Sequence, residues 1–339
     1  MVKKIAIVGA TGMAGTELLK ILIQRNFPAD EVIALASGKS AGKELDFGNK
    51  KLVVQDLDKY DFTETTFAFF AVGGSISDKY GKIAAKQGCI VVDKSSFYRM
   101  DKDVPLVVPE VNKSTLKDYK NKNIVASPNC STTQMVVALK PLHDYAKIKR
   151  VVVSSYQAVS GAGKEAQEEL FDNTKEYCEN KNLKTPTNFK KSIVFNCIPQ
   201  IDVPLENGNS AEEQKMIDET KKILGEEIEV SATCVRVPVL NAHSESVNIE
   251  FEKPITPEKA RELLSKFEGV EVVDDFNNYV FATPFEYSGT DAVYVSRIRK
   301  DPSTKNALNL WIVSDNIRKG AGLNAVQIAE AMIKELNIQ

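Results

Sequence analysis

The sequence predicts an α/β chain in two lobes, a parallel sheet covered by helices on both faces and then an α+β lobe with a mostly antiparallel sheet. Three observations predict it. At 339 residues the chain is long for one domain. Its first 130 residues alternate short apolar runs with helical periodicity. Beyond residue 147 the apolar segments become longer, β-branched and alternating.

Taken in order, residues 4–8, 32–36, 67–72 and 89–92 are apolar runs of strand length, with helical patterns at 12–25 and 77–87. Runs without strict alternation suit strands buried on both faces, which is the doubly wound, Rossmann-type class. In the second lobe, 150–159, 229–239, 246–252, 292–300 and 308–315 read as strands, and 164–179, 211–224 and 257–267 as helices. A closing amphipathic helix over 321–336 is expected to return to the first lobe. The predicted division is therefore 1–128 with 317–339 for the nucleotide lobe and 129–316 for the other.

Composition narrows the function. A hydrophobic share of 43% supports a sizeable core, and 44 basic against 46 acidic residues leave a net charge of −2. Such balance gives no electrostatic reason to expect nucleic acid or a membrane surface as partner. The opening MVKKIAIVGA lacks a signal pattern, and no apolar stretch of about 18 residues follows. A cytoplasmic protein is the expectation. The five cysteines are scattered without CxxC spacing and there are only two histidines, so neither disulfides nor a metal site are expected.

Gly9-Ala-Thr11-Gly12-Met13-Ala-Gly15 follows the first strand directly. Gly9 suits the tight turn, Gly12 a close backbone approach to a pyrophosphate, and Gly15 close helix packing. The helix start adds unpaired N–H groups and a positive dipole end. Gly73, just after the third apolar run, joins the same cofactor set. At the end of the second strand an NAD site usually carries an acid, yet this chain reads Ser37-Gly38-Lys39-Ser40. Hydroxyls and a cation there favour NADP and its 2′-phosphate.

Ser127-Pro128-Asn129-Cys130 precedes a helix predicted over 131–146. With Asn129 as a cap, Cys130 sits at the positive helix end, where thiolate is favoured. Cys89, Cys178, Cys197 and Cys234 lack this context and read as buried and inert. If the base is a histidine, His143 lies thirteen residues along the same helix, roughly 20 Å away. It reads instead as a C-terminal helix charge, and His243, just before a strand, is left.

These residues resemble the aspartate-semialdehyde dehydrogenase family over essentially the whole chain. The similar segments are 9–15, 127–134 (Ser-Pro-Asn-Cys-Ser-Thr-Thr-Gln), 155–163, 212–215, 236–243 and 314–320. The resemblance implies a reversible, NADPH-dependent reductive dephosphorylation of aspartyl phosphate to aspartate semialdehyde, in the pathway to lysine, threonine, methionine and isoleucine. It also implies homodimers, with a tetramer as the alternative, and a catalytic and dimerisation role for the second lobe.

By the same resemblance Cys130 is the nucleophile, His243 the acid/base and Gln157 the residue orienting the intermediate. Arg236 would grip the substrate carboxylate through two parallel bonds. Glu212 would meet the substrate ammonium, and Lys215, one turn later, the phosphate together with Arg99 and Asn129. Asn316 would contact the nicotinamide carboxamide, with Ser160, Gly161 and Gly163 in a loop near the cofactor.

N-acetyl-glutamyl-phosphate reductase shares the chemistry, but its cysteine usually lacks the Asn-Cys-Ser-Thr run. Glyceraldehyde-3-phosphate dehydrogenase differs in both the glycine loop and the cysteine surroundings. A Cys-His hydrolase or a non-catalytic NADP sensor would require all six segments to match by accident.

Overall fold

A computed structural model describes residues 2–338. The chain divides into two compact units, 1–129 with 320–339 and 130–319. The breaks fall after Asn129 and Lys319, where the sequence reading had 128 and 316.

The first unit is built on β1 (Val2–Val8), α1 (Met13–Gln24) and β2 (Ala29–Ala36), followed by a hairpin of β3 (Glu44–Phe47) and β4 (Lys50–Val53). The strand β5 (Gln55–Asp56), β6 (Phe67–Phe70), α2 (Gly74–Lys86), β7 (Ile90–Asp93), the short α3 (Pro109–Asn112) and β8 (Ile124–Ala126) complete it. The hairpin was not legible as such, because its strands are short and largely exposed.

The sheet order is β5-β2-β1-β6-β7-β8, and every pairing is parallel. Counted along the chain this is the 3-2-1-4-5-6 order of a doubly wound dinucleotide fold, with the order reversing between β1 and β6. Neighbouring strand positions that point to opposite faces, Ile5 and Ala6, Phe67 and Ala68, Val91 and Val92, are all buried, as a sheet covered on both faces requires.

The second unit opens with α4 (Cys130–Ala146), β9 (Ile148–Gln157), α5 (Lys164–Asn180) and α6 (Ala211–Leu224). It continues through β10 (Glu229–Arg236), β11 (His243–Phe251), α7 (Pro257–Ser265), β12 (Val270–Val272), β13 (Asp274–Asp275), β14 (Val280–Phe281), β15 (Val293–Lys300) and β16 (Ala307–Ser314). Its sheet, β10-β9-β11-β16-β15-β12, is antiparallel at the centre and parallel at both edges. The β9/β10 edge is parallel because α5 and α6 carry the chain back between those strands. Strand alternation splits β9 cleanly: Val151, Val153, Ser155 and Gln157 are buried, while Tyr156 is exposed on the other face.

The helix α6 is capped as its sequence dictates. Ser210 accepts from the Glu213 backbone while Glu213 reaches back to the Ser210 N–H, closing a capping box. The last helix, α8 (Leu323–Leu336), belongs to the first unit, where Arg25 binds Glu330 through two bonds of 2.7 and 2.8 Å.

Candidate active site

The glycine loop stands at the C-terminal end of β1, where the sheet order reverses. Gly9 has φ +85°, and a Cβ there would lie 2.5 Å from the Ala71 carbonyl oxygen at the end of β6. A Cβ on Gly15 would run into the Gly9 carbonyl, so α1 packs this close only with glycine. Gly12 is the N-cap of α1, Met13 its first residue, and Thr11 is exposed beside them. Gly73 caps α2 and faces open space. Free first-turn N–H groups at an open, glycine-lined turn fit a dinucleotide pyrophosphate.

Ser37, Lys39 and Ser40 form a short turn after β2, with Ser37 and Lys39 exposed. The nearby carboxylate is Asp56 of β5, which accepts from the Asp58 backbone and pairs with Lys59 at 3.7 Å. Arg99 is buried, its Nε donating to the Ser127 carbonyl at 3.0 Å and Nη2 to Lys94 at 2.7 Å. Asn129, also buried, ends this unit.

In the second unit Cys130 is the first residue of α4 and half-buried. It lies within electrostatic reach of Arg236, whose guanidinium burial holds below its ordinary range while Glu212 and the Cys130 thiol pull it back. Arg236 Nη1 donates to the Ala158 carbonyl at 2.7 Å. A Cβ on Gly161 would come within 2.8 Å of that same Nη1 and 3.3 Å of His243 Nε2, so Arg236 and His243 both flank this glycine.

His243 opens β11 rather than preceding it and is fully buried. Burial, then the Arg236 charge, push its pKa well down, so the ring is neutral. Its Nδ1 accepts the Ala158 N–H at 3.0 Å. The proton of the neutral ring therefore sits on Nε2, a buried atom with no hydrogen-bond partner in the protein.

A second web adjoins these residues. Gln157 Nε2 donates to Glu212 Oε1 and to Ser155 Oγ, both at 3.2 Å. Lys215 bridges Glu212 at 3.1 Å and Asp202 at 2.8 Å. Because Glu212 is buried, this pair is more than the solvated i,i+3 contact that such spacing usually means. Sequence reasoning missed Asp202, which comes from an irregular stretch with no motif to mark it. Ser160 and Asn316 bond each other at 3.0–3.1 Å, and Asn316 Oδ1 also accepts the Ala242 N–H. Gly163, at φ +108°, caps α5.

Two sequence readings need correction. His143 is not a helix-end charge: it is buried, its pKa is lowered mainly by burial, and Nδ1 accepts the Ile148 N–H at 3.3 Å. Of the cysteines read as buried, Cys178 and Cys197 are exposed, since one lies on the outer side of α5 and the other in the stretch before β10. Cys89 and Cys234 are buried, which pushes both thiols up, Cys234 to about 12. None of the five cysteines is in a disulfide. Among the described residues no His, Cys, Asp and Glu cluster could hold a metal ion.

A parallel dinucleotide sheet joined in one chain to a unit that opens on a cysteine in the first turn of a helix defines a class. Residues 4–119 match the family described as "Semialdehyde dehydrogenase, NAD binding domain", and residues 139–319 match "Semialdehyde dehydrogenase, dimerisation domain". The chain belongs to the aspartate-semialdehyde dehydrogenase family. It is 53% identical to the aspartate-semialdehyde dehydrogenase of Aquifex aeolicus over 98% of both chains. The crystal structure of aspartate semialdehyde dehydrogenase II from Vibrio cholerae, complexed with ASA, superposes with a TM-score of 0.96 at 43% identity, covering 99% of each chain. The Candida albicans aspartate semialdehyde dehydrogenase with NADP superposes at 0.77 and 26% identity over 100% of both.

Proposed function

We propose that the chain catalyses the reversible, NADP-dependent conversion of aspartate 4-semialdehyde and phosphate to aspartyl 4-phosphate through a thioester on Cys130. One observation carries the reading: Cys130 stands at the N-terminus of α4, within reach of Arg236, in the unit that also buries His243 with a free Nε2. The helix end and the guanidinium both favour thiolate.

The thiolate adds to the aldehyde carbon to give a tetrahedral adduct. His243 enters from its acid side, because Nε2–H is the hydrogen its neutral ring has to offer. That sharpens the acid/base role expected from the sequence. A nicotinamide held by the residues named below would accept the hydride from this adduct in the oxidative direction and supply it in the reverse. In the oxidative direction phosphate attacks the resulting thioester and the Cys130 thiolate leaves; biosynthesis runs the steps backwards.

Arg236 is the ligand for the substrate carboxylate and Glu212 for its ammonium, with Gln157 held against Glu212 to orient the intermediate. Lys215, Arg99 and Asn129 are the phosphate ligands. For the cofactor, Gly9, Gly12 and Gly15 receive the pyrophosphate, exposed Lys39 with Ser37 and Ser40 the 2′-phosphate, and Asn316, Ser160, Gly161 and Gly163 the nicotinamide end. A Candida albicans relative solved with NADP supports this choice.

The same reading places the enzyme in the aspartate pathway to lysine (through diaminopimelate), threonine, methionine and isoleucine. It also makes the protein a cytoplasmic homodimer. Five cysteines without a disulfide suit a reducing compartment, and no helix among the described residues is long and apolar enough to cross a membrane. The sheet face opposite α4 and α6 presents the Tyr156 and Trp311 rings, 5.6 Å apart and partly exposed, as a surface for the second copy.

NADPH formation from aspartate semialdehyde, measured with and without phosphate, tests the reading. Phosphate-dependent NADPH formation is expected. Turnover indifferent to phosphate removes the acyl-phosphate step, and reaction only with N-acetylglutamate semialdehyde moves the chain to the reductase alternative.

A further inference from the structure

Beneath the reacting pair lies a second polar pair that the roles above leave unused. Gln134 follows Cys130 by one turn on the same face of α4, roughly 6 Å along the axis. Glu245 follows His243 by two residues on the same face of β11, roughly 7 Å along the strand. The two steps nearly match, so Gln134 and Glu245 form the next rung below Cys130 and His243. Both side chains are fully buried.

Burial drives the Glu245 carboxyl's pKa far above its ordinary range, and the neighbouring Gln134 amide, the one side chain that acts on this carboxyl, pulls it part of the way back. Neither end of the amide and neither carboxyl oxygen has closed a hydrogen bond. A neutral carboxylic acid and a primary amide are self-complementary. The acid O–H donates to the amide oxygen and the amide N–H to the acid carbonyl, with no net charge. Four buried polar atoms without partners are costly, and closing this pair gives each of the four one partner.

We propose that Gln134 and Glu245 act as one positioning pair, tying the helix that carries Cys130 to the strand that carries His243. Neither touches the reacting atoms. The pair sets the distance and angle between thiol and imidazole, much as a supporting shell fixes a catalytic group. The inference rests on Cys130 and His243 being the reacting couple.

The test compares three full-length variants. The double variant Gln134→Leu with Glu245→Leu removes both polar partners together, so no orphan remains and the fold is retained. It should keep the parent's melting temperature and KM, while kcat falls roughly tenfold to a hundredfold. Alkylation of Cys130 by iodoacetamide should slow by a comparable factor. Glu245→Gln restores a self-complementary amide pair and should keep kcat within about threefold of the parent, as the doubly bonded geometry survives. Gln134→Leu alone should lose activity like the double variant and be less stable, since it strands the carboxyl.

A double variant with parental kcat and alkylation rate would overturn the proposal. So would a Glu245→Gln protein as slow as the double, because the carboxyl's own proton would then be used in place of the pairing. Alkylation is read on the thiol without any aldehyde substrate, so it separates failure of this inference from failure of the substrate assignment.

Discussion

In the first unit the sheet buries Ile5, Phe67, Phe69 and Val92, and in the second the helix-covered face buries Ser155, Gln157, Arg236, His243 and Glu245. Both are six-stranded. The first sheet is a scaffold whose ligand contacts come from the loops at its strand ends, so its strands bury apolar side chains except for Asp93 at the end of β7, which accepts from Ser77 and Ser95. The second uses side chains on the sheet face itself, so polar groups must be buried and partnered by α4 and α6. Apolar burial stabilises the first unit, whereas the second spends part of its stability on a polar site. Substitutions should therefore separate nucleotide binding from chemistry.

The largest separation is expected from Cys130→Ala. Turnover should fall by at least about 10⁴-fold, as for loss of a covalent nucleophile. Dinucleotide affinity by calorimetry should stay at the parental value. Residual turnover above that of Cys89→Ala would place the nucleophile elsewhere.

His243 comes next. His243→Asn should lower kcat by roughly 10²–10³-fold. His243→Gln can carry an amide N–H near the former Nε2 and should retain more activity than Asn. Equal kcat in the two variants would argue against Nε2–H as the working hydrogen.

Arg236→Lys keeps the charge but loses the planar fork, and KM for the semialdehyde should rise roughly tenfold to a hundredfold. An unchanged KM in steady-state assays would show that the carboxylate is bound by another residue. In the first unit, Lys39→Asp should move the NADP-to-NAD preference by about tenfold, or about 1.4 kcal/mol. Identical cofactor ratios before and after would remove Lys39 from the 2′-phosphate site.

The last prediction concerns stability. Glu245 binds its proton more tightly folded than unfolded, so the folded state holds an extra proton once the pH exceeds the unfolded value near 4.5. Its contribution is fully present below that pH and is lost as pH rises toward the folded pKa. Glu245→Gln has no such loss. Its stability relative to the parent should grow by up to about 1.4 kcal/mol per pH unit from pH 5 to 7, followed by chemical denaturation. A constant difference across that range would mean that Glu245 is ionised in the fold.

The polar second unit is also where sequence reading ran short. Gly9 and Gly15 were legible because a parallel sheet leaves one place for such a loop, directly after the first strand. Ser210 and Glu213 announce the start of α6 through a local capping pattern. The burial of His143 was not legible, because periodicity says where a residue lies on its helix but not what packs over it. Asp202 was missed for a related reason: its partner Lys215 is thirteen residues away across an irregular connection.

What the sequence by itself determined is local or periodic: the alternation of elements, the glycine turn and the helix start at Cys130. These follow from φ/ψ limits, helical rise and capping chemistry, which act within a few residues. The tertiary structure alone decided which proton His243 carries, because that depends on the Ala158 N–H, 85 positions away in the chain. It alone brought Arg236 within electrostatic reach of Cys130 and Glu245 within reach of Gln134. Desolvation and pairing across strands and helices have no counterpart in the linear order, and they decide how the site works.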